Sequence, residues 1–349
     1  MLKKILLYPL SSIYGFVTYC RNTFYDFGIL KSHSFDLPII CVGNINVGGT
    51  GKTPHTEMII QALCKEYNVA CLSRGYKRKS KGFILSNENS TASEIGDEPL
   101  QIKKKYPQII VACDENRVNG IKRLLELENK PDCIILDDAF QHRRIKAGKN
   151  IIITDYNKPL NEDYLLPLGR LRESSEGLKR ADYIIVSKCP PSVSKIARRI
   201  YIHNLKLKPY QKLFFTTMEY SDIYNIEGDV VDLDIVDEDS ILCITGIARP
   251  QPYLTYLSSM TRDITHINYA DHHNFKKKDI ENIIKTFSKL VGKHKYIFTT
   301  EKDIMRLREC DIPSAIREAM YYIPITPKFI FNQNSFINDI KEYVRKSQK

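Results

Sequence analysis

The sequence predicts an α/β protein. Its core is a P-loop NTPase-like, doubly wound, mostly parallel sheet, and a smaller second α/β/α domain follows through a two-stranded β linker. Three observations predict this. First, an apolar run from Leu37 to Val42 passes through Gly43-Asn44-Ile45-Asn46-Val47-Gly48-Gly49-Thr50 into Gly51-Lys52-Thr53-Pro54 and a helical pattern. That strand–loop–helix order lets backbone N–H groups turn inward around phosphate oxygens, with the helix dipole behind them. Second, the apolar run Cys133 to Leu136 ends in Asp137-Asp138, which sets a carboxylate at a strand end beside such a loop. Third, strand and helix patterns alternate up to Thr217, give way to an acidic stretch, and resume at Ile241. The expected division is a helical region over 1–30, the P-loop core over 31–217, the linker over 218–238 and the smaller domain over 239–349.

Met1-Leu2-Lys3-Lys4 opens the chain, and an uncharged stretch runs from Ile5 to Cys20. It is short for a bilayer span, Pro9 interrupts it, and no small-residue cleavage site comes after it. From Pro9 onward Leu10, Ile13, Tyr14 and Val17 fall at helical spacing. Two readings stand side by side: a helix packed on the core, or a helix lying in a membrane surface with Tyr8, Tyr14, Tyr19 and Tyr25 near the interface.

In the phosphate loop, Lys52 supplies a point charge near the β- and γ-phosphates and the Thr53 hydroxyl can ligate Mg²⁺. The loop residues Asn46, Val47, Gly48, Gly49, Thr50, Gly51, Lys52 and Thr53 form the expected nucleotide cradle. Asn46 departs from the usual glycine there, and glycines at 43, 48 and 49 are expected to provide the turn. A helix over Glu57 to Lys65 and a strand over Val69 to Leu72 lead to Ser73-Arg74-Gly75-Tyr76 and the basic run to Lys81. Ligands gather at strand C-termini in open α/β sheets, so this loop is either an anion contact or a solvated basic turn. Gly96-Asp97-Glu98-Pro99 reads as a helix start, or as a carboxylate pair near Mg²⁺ and an acceptor hydroxyl.

Strand Ile109 to Ala112 leads to a helix near Val118, with Arg117 in its first turn. After the next strand, successive side chains point to opposite faces, so Asp137 is assigned to Mg²⁺ and Asp138 to water or substrate. Strands over Asn150 to Thr154 and Asp182 to Ser187 flank an arginine-bearing loop, Leu166 to Glu173. Strand Leu213 to Thr217 closes the unit. In the second half, Ile264 to Tyr269 ends in Ala270-Asp271-His272-His273. Adjacent histidines on extended backbone diverge and no Cys or Glu at ligand spacing joins them, so zinc is disfavoured; an acid–base role at the cleft and a purely structural histidine both stand, the first favoured.

The chain has 349 residues, 43% hydrophobic, and a net charge of +11. The charge suits a polyanionic partner, whether nucleic acid, acidic membrane or phosphorylated substrate. No Arg/Gly-rich tail, zinc finger or RNP-like motif is present, so nucleic acid is not expected. The nine cysteines include no C-x-x-C pair and several sit inside apolar runs, which reads as buried thiols in a reducing compartment.

Taken together, Val42-Gly43-Asn44, Val47 to Pro54, Leu72 to Tyr76, Gly96 to Pro99, Leu136 to Asp138, Phe140-Gln141-His142, Leu166-Pro167, Gly169 and Leu171-Arg172-Glu173 resemble the tetraacyldisaccharide 4′-kinases of lipid A biosynthesis. Gly246-Ile247-Ala248-Arg249-Pro250, Asp271-His272 and Thr299 to Asp303 continue the resemblance in order. It implies transfer of the γ-phosphate of ATP, with Mg²⁺, to the 4′-hydroxyl of an acylated disaccharide 1-phosphate at the cytoplasmic face of a bacterial inner membrane. It also favours the membrane reading of the N-terminal helix. By the same resemblance Asp97 is the catalytic base and His272 its partner across a closing cleft, with Lys52 the third catalytic residue. Thr53, Glu98 and Asp137 form the Mg²⁺ shell, and Arg117 joins Lys52 on the nucleotide. Arg74, Tyr76, Asp138, His142 and Arg172 are the expected substrate or phosphate contacts. The competing reading is a P-loop GTPase or metallochaperone-type switch. Ser187-Lys188-Cys189-Pro190, the nearest approach to a guanine-reading N-K-x-D, lacks both Asn and Asp.

Overall fold

The computed structural model describes residues 2–348. Helix α1 (Leu2–Asp26) leads to β1 (Ile39–Gly43), α2 (Lys52–Leu63), β2 (Val69–Ser73), β3 (Ile84–Leu85), α3 (Ala92–Ile95) and α4 (Asp97–Lys105). Then come β4 (Ile110–Cys113), α5 (Arg117–Leu125), β5 (Cys133–Asp137), β6 (Lys149–Asp155), β7 (Tyr183–Ser187), α6 (Lys195–Leu205) and β8 (Lys212–Tyr220). The second half holds β9 (Ile223–Asn225), β10 (Val230–Val231), β11 (Ser240–Thr245), α7 (Gln251–Leu257), β12 (Asp263–Asn268) and α8 (Lys277–Ser288). It ends with β13 (Lys295–Thr300), α9 (Glu301–Leu307), α10 (Ser314–Glu318), β14 (Met320–Ile323), β15 (Ile325–Phe329) and α11 (Gln333–Ser347).

Two sheets result. The larger has nine strands in the order β15-β8-β7-β6-β1-β5-β2-β4-β3, and the smaller has six in the order β10-β9-β14-β13-β11-β12. In the larger sheet every pairing from β8 to β4 is parallel, and only the edge strands β15 and β3 run antiparallel. Strands β1, β2, β5 and β7 are buried along their whole length. Continuous apolar runs are what a parallel sheet covered on both faces requires. One face packs Ile59, Ile60 and Leu63 of α2, and the other packs Val118, Ile121 and Leu124 of α5. The phosphate loop leaves β1 between β5 and β6, where the chain's connections change direction and ligands collect.

The structure differs from the expected division in two places. Residues 325–347 belong to the first sheet, not to the smaller domain. Strand β15 pairs with β8, and Phe336, Ile340 and Val344 of α11 are fully buried in the core that holds Ile59 and Ile60. The return is driven by the apolar face of α11 filling a sheet face that the chain up to β8 leaves uncovered. The connector also differs. The acidic segment forms the hairpin β9–β10, but β9 pairs with β14 at the edge of the second sheet. The true two-stranded crossing is the end of β8 against the start of β15, with Tyr220 opposite Ile325, Met218 opposite Pro327 and Ser221 N donating to Pro324 O at 2.9 Å. Both passages of the chain between sheets thus lie side by side, as a hinge does.

Phe336 sits edge-on to Tyr183 and Phe214, with ring centroids 5.4 and 5.3 Å away. Phe336→Ala is expected to cost about 3–5 kcal/mol of stability through the cavity it leaves. Urea unfolding monitored in the first sheet measures the loss, which α11 docked elsewhere would not produce.

Helix α1 runs through Pro9 instead of starting there. Its polar residues face the protein: Ser11 and Thr18 are buried, Ser11 Oγ donates to Leu165 O and Tyr14 Oη donates to Arg172 O. Its apolar residues face outward, with Ile13 61%, Phe16 69% and Val17 58% exposed. Among the described residues, no helix is long and apolar enough to cross a membrane.

Candidate active site

The phosphate loop is held by main-chain pairing. Asn46 bridges Leu171, Val47 N donates to Arg170 O and Arg172 N donates to Ile45 O, the last two at 2.7 Å. The positive backbone angles fall on Gly48 (φ +107°) and Gly51 (φ +94°). Position 46 therefore needs no glycine, which resolves the departure seen in the sequence. The turn falls on 48 and 51, not on 43. Gly43 serves packing, because a Cβ there would meet Phe140 Cβ at 2.7 Å. Asn44 Nδ2 donates to Thr50 Oγ1 at 3.0 Å, and the buried His55 ring contacts Gly51 O through Nδ1 at 2.7 Å. Lys188 donates to Gly49 O and lies 3.4 Å from Asp155. The lysine that failed as a guanine signature instead clasps the loop.

The two acids that end β5 separate as alternation requires. Asp137 is buried and accepts from Thr56 Oγ1 at 2.9 Å. Burial, with Glu98 and Asp138 close by, pushes its carboxyl up to about 7 against the pull of Lys52 and Thr56. Asp138 adopts the left-handed conformation (φ +47°), which Asp tolerates better than most residues. It pairs bidentately with Arg172 at 2.8 and 3.2 Å and lies 3.6 Å from Lys52 Nζ. Burial would raise Asp138, but Lys52 and Arg172 outweigh it and hold its carboxyl below the ordinary value.

Around this centre gather further cations. Arg117 is buried at the start of α5, where Nη1 donates to Asp114 O at 3.2 Å. His142 is pushed down to about 4 by burial and by Arg117, Arg144 and Arg74, so its ring is neutral. Arg117 Nε and His142 Nε2 are buried with no hydrogen-bond partner among the described residues. A buried guanidinium donor without a partner, Arg117 Nε, beside further guanidinium groups suits an anionic ligand.

The second sheet closes over the end of α4. His272 Nδ1 lies 2.7 Å from Asp97 Oδ2, and Arg306 Nη1 donates to the same oxygen at 2.9 Å. Burial alone would raise Asp97. The His272 hydrogen bond, with Lys302 and Arg306 nearby, outweighs it and holds the carboxyl at about 2. Glu98 pairs with Lys302 at 2.6 Å, and Lys302 Nζ lies 3.4 Å from His272 Nε2. With Nδ1–H donating to Asp97, Nε2 is left to accept. Tyr76 meets His272 edge-on at 5.2 Å; Tyr76 and Arg74 remain exposed. The adjacent histidines do diverge: His273 Nε2 turns to Asp279 at 2.9 Å.

His272 itself is left-handed (φ +56°), held by its N–H to Gly246 O at 3.0 Å, while Gly246 N donates to Asp303 Oδ2 at 2.9 Å. A Cβ on Gly246 would sit 2.8 Å from Asp303 Oδ1, so this approach requires glycine. The structure sets Lys52, Asp138 and Arg172 against one another, and joins Asp97, Glu98 and His272 through Lys302 and Arg306, with Tyr76 against His272. It adds Lys188, Lys302, Asp303 and Arg306, to which the sequence alone assigned no role. The signal for two of them was Thr300-Glu301-Lys302-Asp303 at a strand C-terminus; Arg306 comes one turn later on the same face.

Among the described residues no three His, Cys, Asp or Glu side chains converge as metal ligands. Mg²⁺ does not need such a cluster, since it takes one or two protein oxygens and completes its shell with phosphate and water. The donor set fits it: Thr53 is buried in the first turn of α2, and Asp137 ends the neighbouring strand with the Glu98 and Asp138 carboxylates close to it.

A sequence-family model described as tetraacyldisaccharide-1-P 4′-kinase matches residues 3–345. This chain belongs to that family. A tetraacyldisaccharide 4′-kinase of Bacteroides fragilis (strain YCH46) is 45% identical over 352 residues, covering 98% of this chain and 94% of the relative. A tetraacyldisaccharide 4′-kinase of Flavobacterium psychrophilum is 45% identical over 347 residues, covering 98% and 97%. Among solved structures, LpxK from Aquifex aeolicus in complex with ATP superposes with a TM-score of 0.76 at 27% identity, over 99% of each chain. As a tetraacyldisaccharide-1-P 4′-kinase family member the chain is a P-loop kinase, and its glycine-rich loop follows β1 of the nine-stranded sheet.

Proposed function

We propose that this protein transfers the γ-phosphate of ATP to the 4′-hydroxyl of a tetraacyldisaccharide 1-phosphate, the step that yields the tetraacylated lipid A precursor. The observation that carries the residue assignment is the 2.7 Å contact of His272 with Asp97, which joins the histidine after β12 of the second sheet to the carboxylate that opens α4.

Backbone N–H groups of Gly48, Gly49 and Gly51, with Lys52, Arg117 and Arg172, cradle the triphosphate, while Val47 N–H stays paired with Arg170 O. Thr53 and Asp137 would hold Mg²⁺, with Glu98 at its margin; when bound, the ion neutralises charge on the β- and γ-phosphates. Asp97 orients the acceptor hydroxyl. Its Oδ2 is taken by His272 and Arg306, while Oδ1 accepts the Glu98 N–H at 3.0 Å and has a second lone pair for the sugar. A carboxylate held at about 2 is always ionised but weakly basic. That suits phosphoryl transfer, whose loose transition state needs the nucleophile aimed well before it needs it deprotonated. Lys302 and Arg306 draw the second domain onto the same acids and exclude water from the donor. Asp138 hands Lys52 and Arg172 to the incoming phosphate, and His142 and Arg74 are assigned to the anionic acceptor.

The test is direct. Purified protein, ATP, Mg²⁺ and the disaccharide 1-phosphate should give a product whose new phosphate is on the 4′ position. A product phosphorylated elsewhere, or no product, refutes the assignment.

We further propose that the enzyme is peripheral to the membrane through α1. Its outward Ile13, Phe16 and Val17 favour burial at a lipid interface, and Tyr14 ties the helix to Arg172 at the site. Each such side chain is worth about 1.5–3 kcal/mol when fully buried. Ile13→Glu with Phe16→Glu should therefore lower flotation with liposomes at least ~10-fold. Undiminished flotation would remove α1 from this role. The domain assignment offered is two α/β units, 31–220 with 325–347 and 221–324, hinged where β8 and β15 cross.

A further inference from the structure

Three helices begin at the site: α2 at Lys52 and Thr53, α4 at Asp97 and Glu98, and α9 at Glu301 and Lys302. Just below these ends lies a buried polar cluster that the proposed reaction does not employ. Lys105 Nζ donates to Glu57 Oε2 at 2.6 Å and to Glu301 Oε1 at 3.2 Å. Gln101 Nε2 donates to the other two oxygens, Glu57 Oε1 at 2.6 Å and Glu301 Oε2 at 3.1 Å. All four carboxylate oxygens are therefore occupied. Glu57, Gln101 and Glu301 are buried, at 3%, 4% and 9% exposure.

The cluster joins the two domains. Glu57 lies on the helix that carries Lys52, Gln101 and Lys105 lie on the helix that carries Asp97, and Glu301 directly precedes Lys302 on the second-domain helix. Apolar packing already holds this interface, since Ile95 and Leu100 share a core with Ile304 and Met305. Two carboxylates against one ammonium are costly to bury, and burial beside Glu57 pushes Glu301 up to about 7. Apolar residues would hold the domains at less cost, but they tolerate sliding. Four directional bonds do not.

We propose that Glu57, Gln101, Lys105 and Glu301 are positioning residues, an interdomain latch that fixes the Lys302-bearing helix in register against the phosphate-loop helix and the Asp97 helix. This rests on the kinase reading of the site. Register matters because a misplacement of about 1 Å at a reacting centre can cost ~100-fold in rate.

The test uses the full-length enzyme and two variants. Lys105→Met removes the charge that joins the carboxylates. Gln101→Met is close in size, removes only two hydrogen bonds, and serves if the first variant does not fold. Two readouts are taken: kcat and KM for ATP with the lipid acceptor, and amide hydrogen exchange across Glu301–Leu307. In folded variant protein kcat should fall at least ~10-fold with KM for ATP within about twofold, because donor binding is intact and alignment is not. Exchange in α9 should quicken while β1 and β5 stay protected. A folded variant with kcat within about twofold of wild type overturns the proposal, as does a fall in kcat with α9 exchange unchanged. If the wild-type enzyme itself does not phosphorylate the acceptor, the kinase reading fails and the exchange of α9 alone decides the latch.

Discussion

Asp97→Asn lowers kcat by about 10²–10⁴-fold, the range for loss of a positioned general base, with ATP affinity little changed. The substitution keeps the shape that His272 and Arg306 contact. It removes the anion that aligns the acceptor hydroxyl and that Arg306 neutralises at 2.9 Å. ATP affinity should be spared because the proposed triphosphate cradle comes from residues 48–53 and from Arg117 and Arg172. Turnover assays with calorimetric ATP titration separate the two quantities. Undiminished turnover would take Asp97 out of the base position.

Lys52→Met has the second large effect, and a different signature. Lys52 Nζ waits 3.6 Å from Asp138, whose other contact is Arg172, so one carboxylate stores both cations near the phosphate position. Losing one such charge costs about 10²–10³-fold in kcat. It should also weaken ATP binding, since the proposed role of Lys52 is to contact donor phosphate in the ground state as well. Asp97→Asn should therefore change kcat alone, whereas Lys52→Met should change kcat and ATP affinity together. Matching profiles for the two variants would mean that donor and acceptor functions are not divided between them.

Much of this site was legible in the sequence because its parts lie at strand ends, where local pattern and position coincide. The apolar runs before Gly43 and Asp137 announce buried parallel strands, and the residues just after each run must project from the sheet's C-terminal edge. The adjacent acids 137 and 138 could be separated in direction from alternation alone, and they do meet different partners, Thr56 and Arg172. Asn46 looked like a defect because the motif is written as a string; in space, the left-handed turns fall on Gly48 and Gly51. The parts that were not legible depend on long-range packing. The apolar stripe Phe336, Ile340 and Val344 announces a helix but not which sheet it covers, and the chain gives no local sign that β15 recrosses to β8. Arg306 and Lys302 acquire meaning only when the second sheet sets them against Asp97 and Glu98. The same is true of Glu57 and Glu301, which in the sequence are ordinary helix-surface acids and in the fold are buried face to face. The polar inner face of α1 inverts the usual arrangement, and the spacing of Leu10, Ile13 and Val17 fits either orientation.

The central claim is that a carboxylate from one sheet and a histidine from the other act as one unit on the acceptor. A double-mutant cycle in kcat over wild type, Asp97→Asn, His272→Ala and the double variant tests it most directly. If the pair works as a unit, the double variant is no slower than Asp97→Asn alone, and the coupling is of the size of the His272→Ala loss itself. If the two losses multiply, the residues act independently and the pair is not the unit that acts on the acceptor.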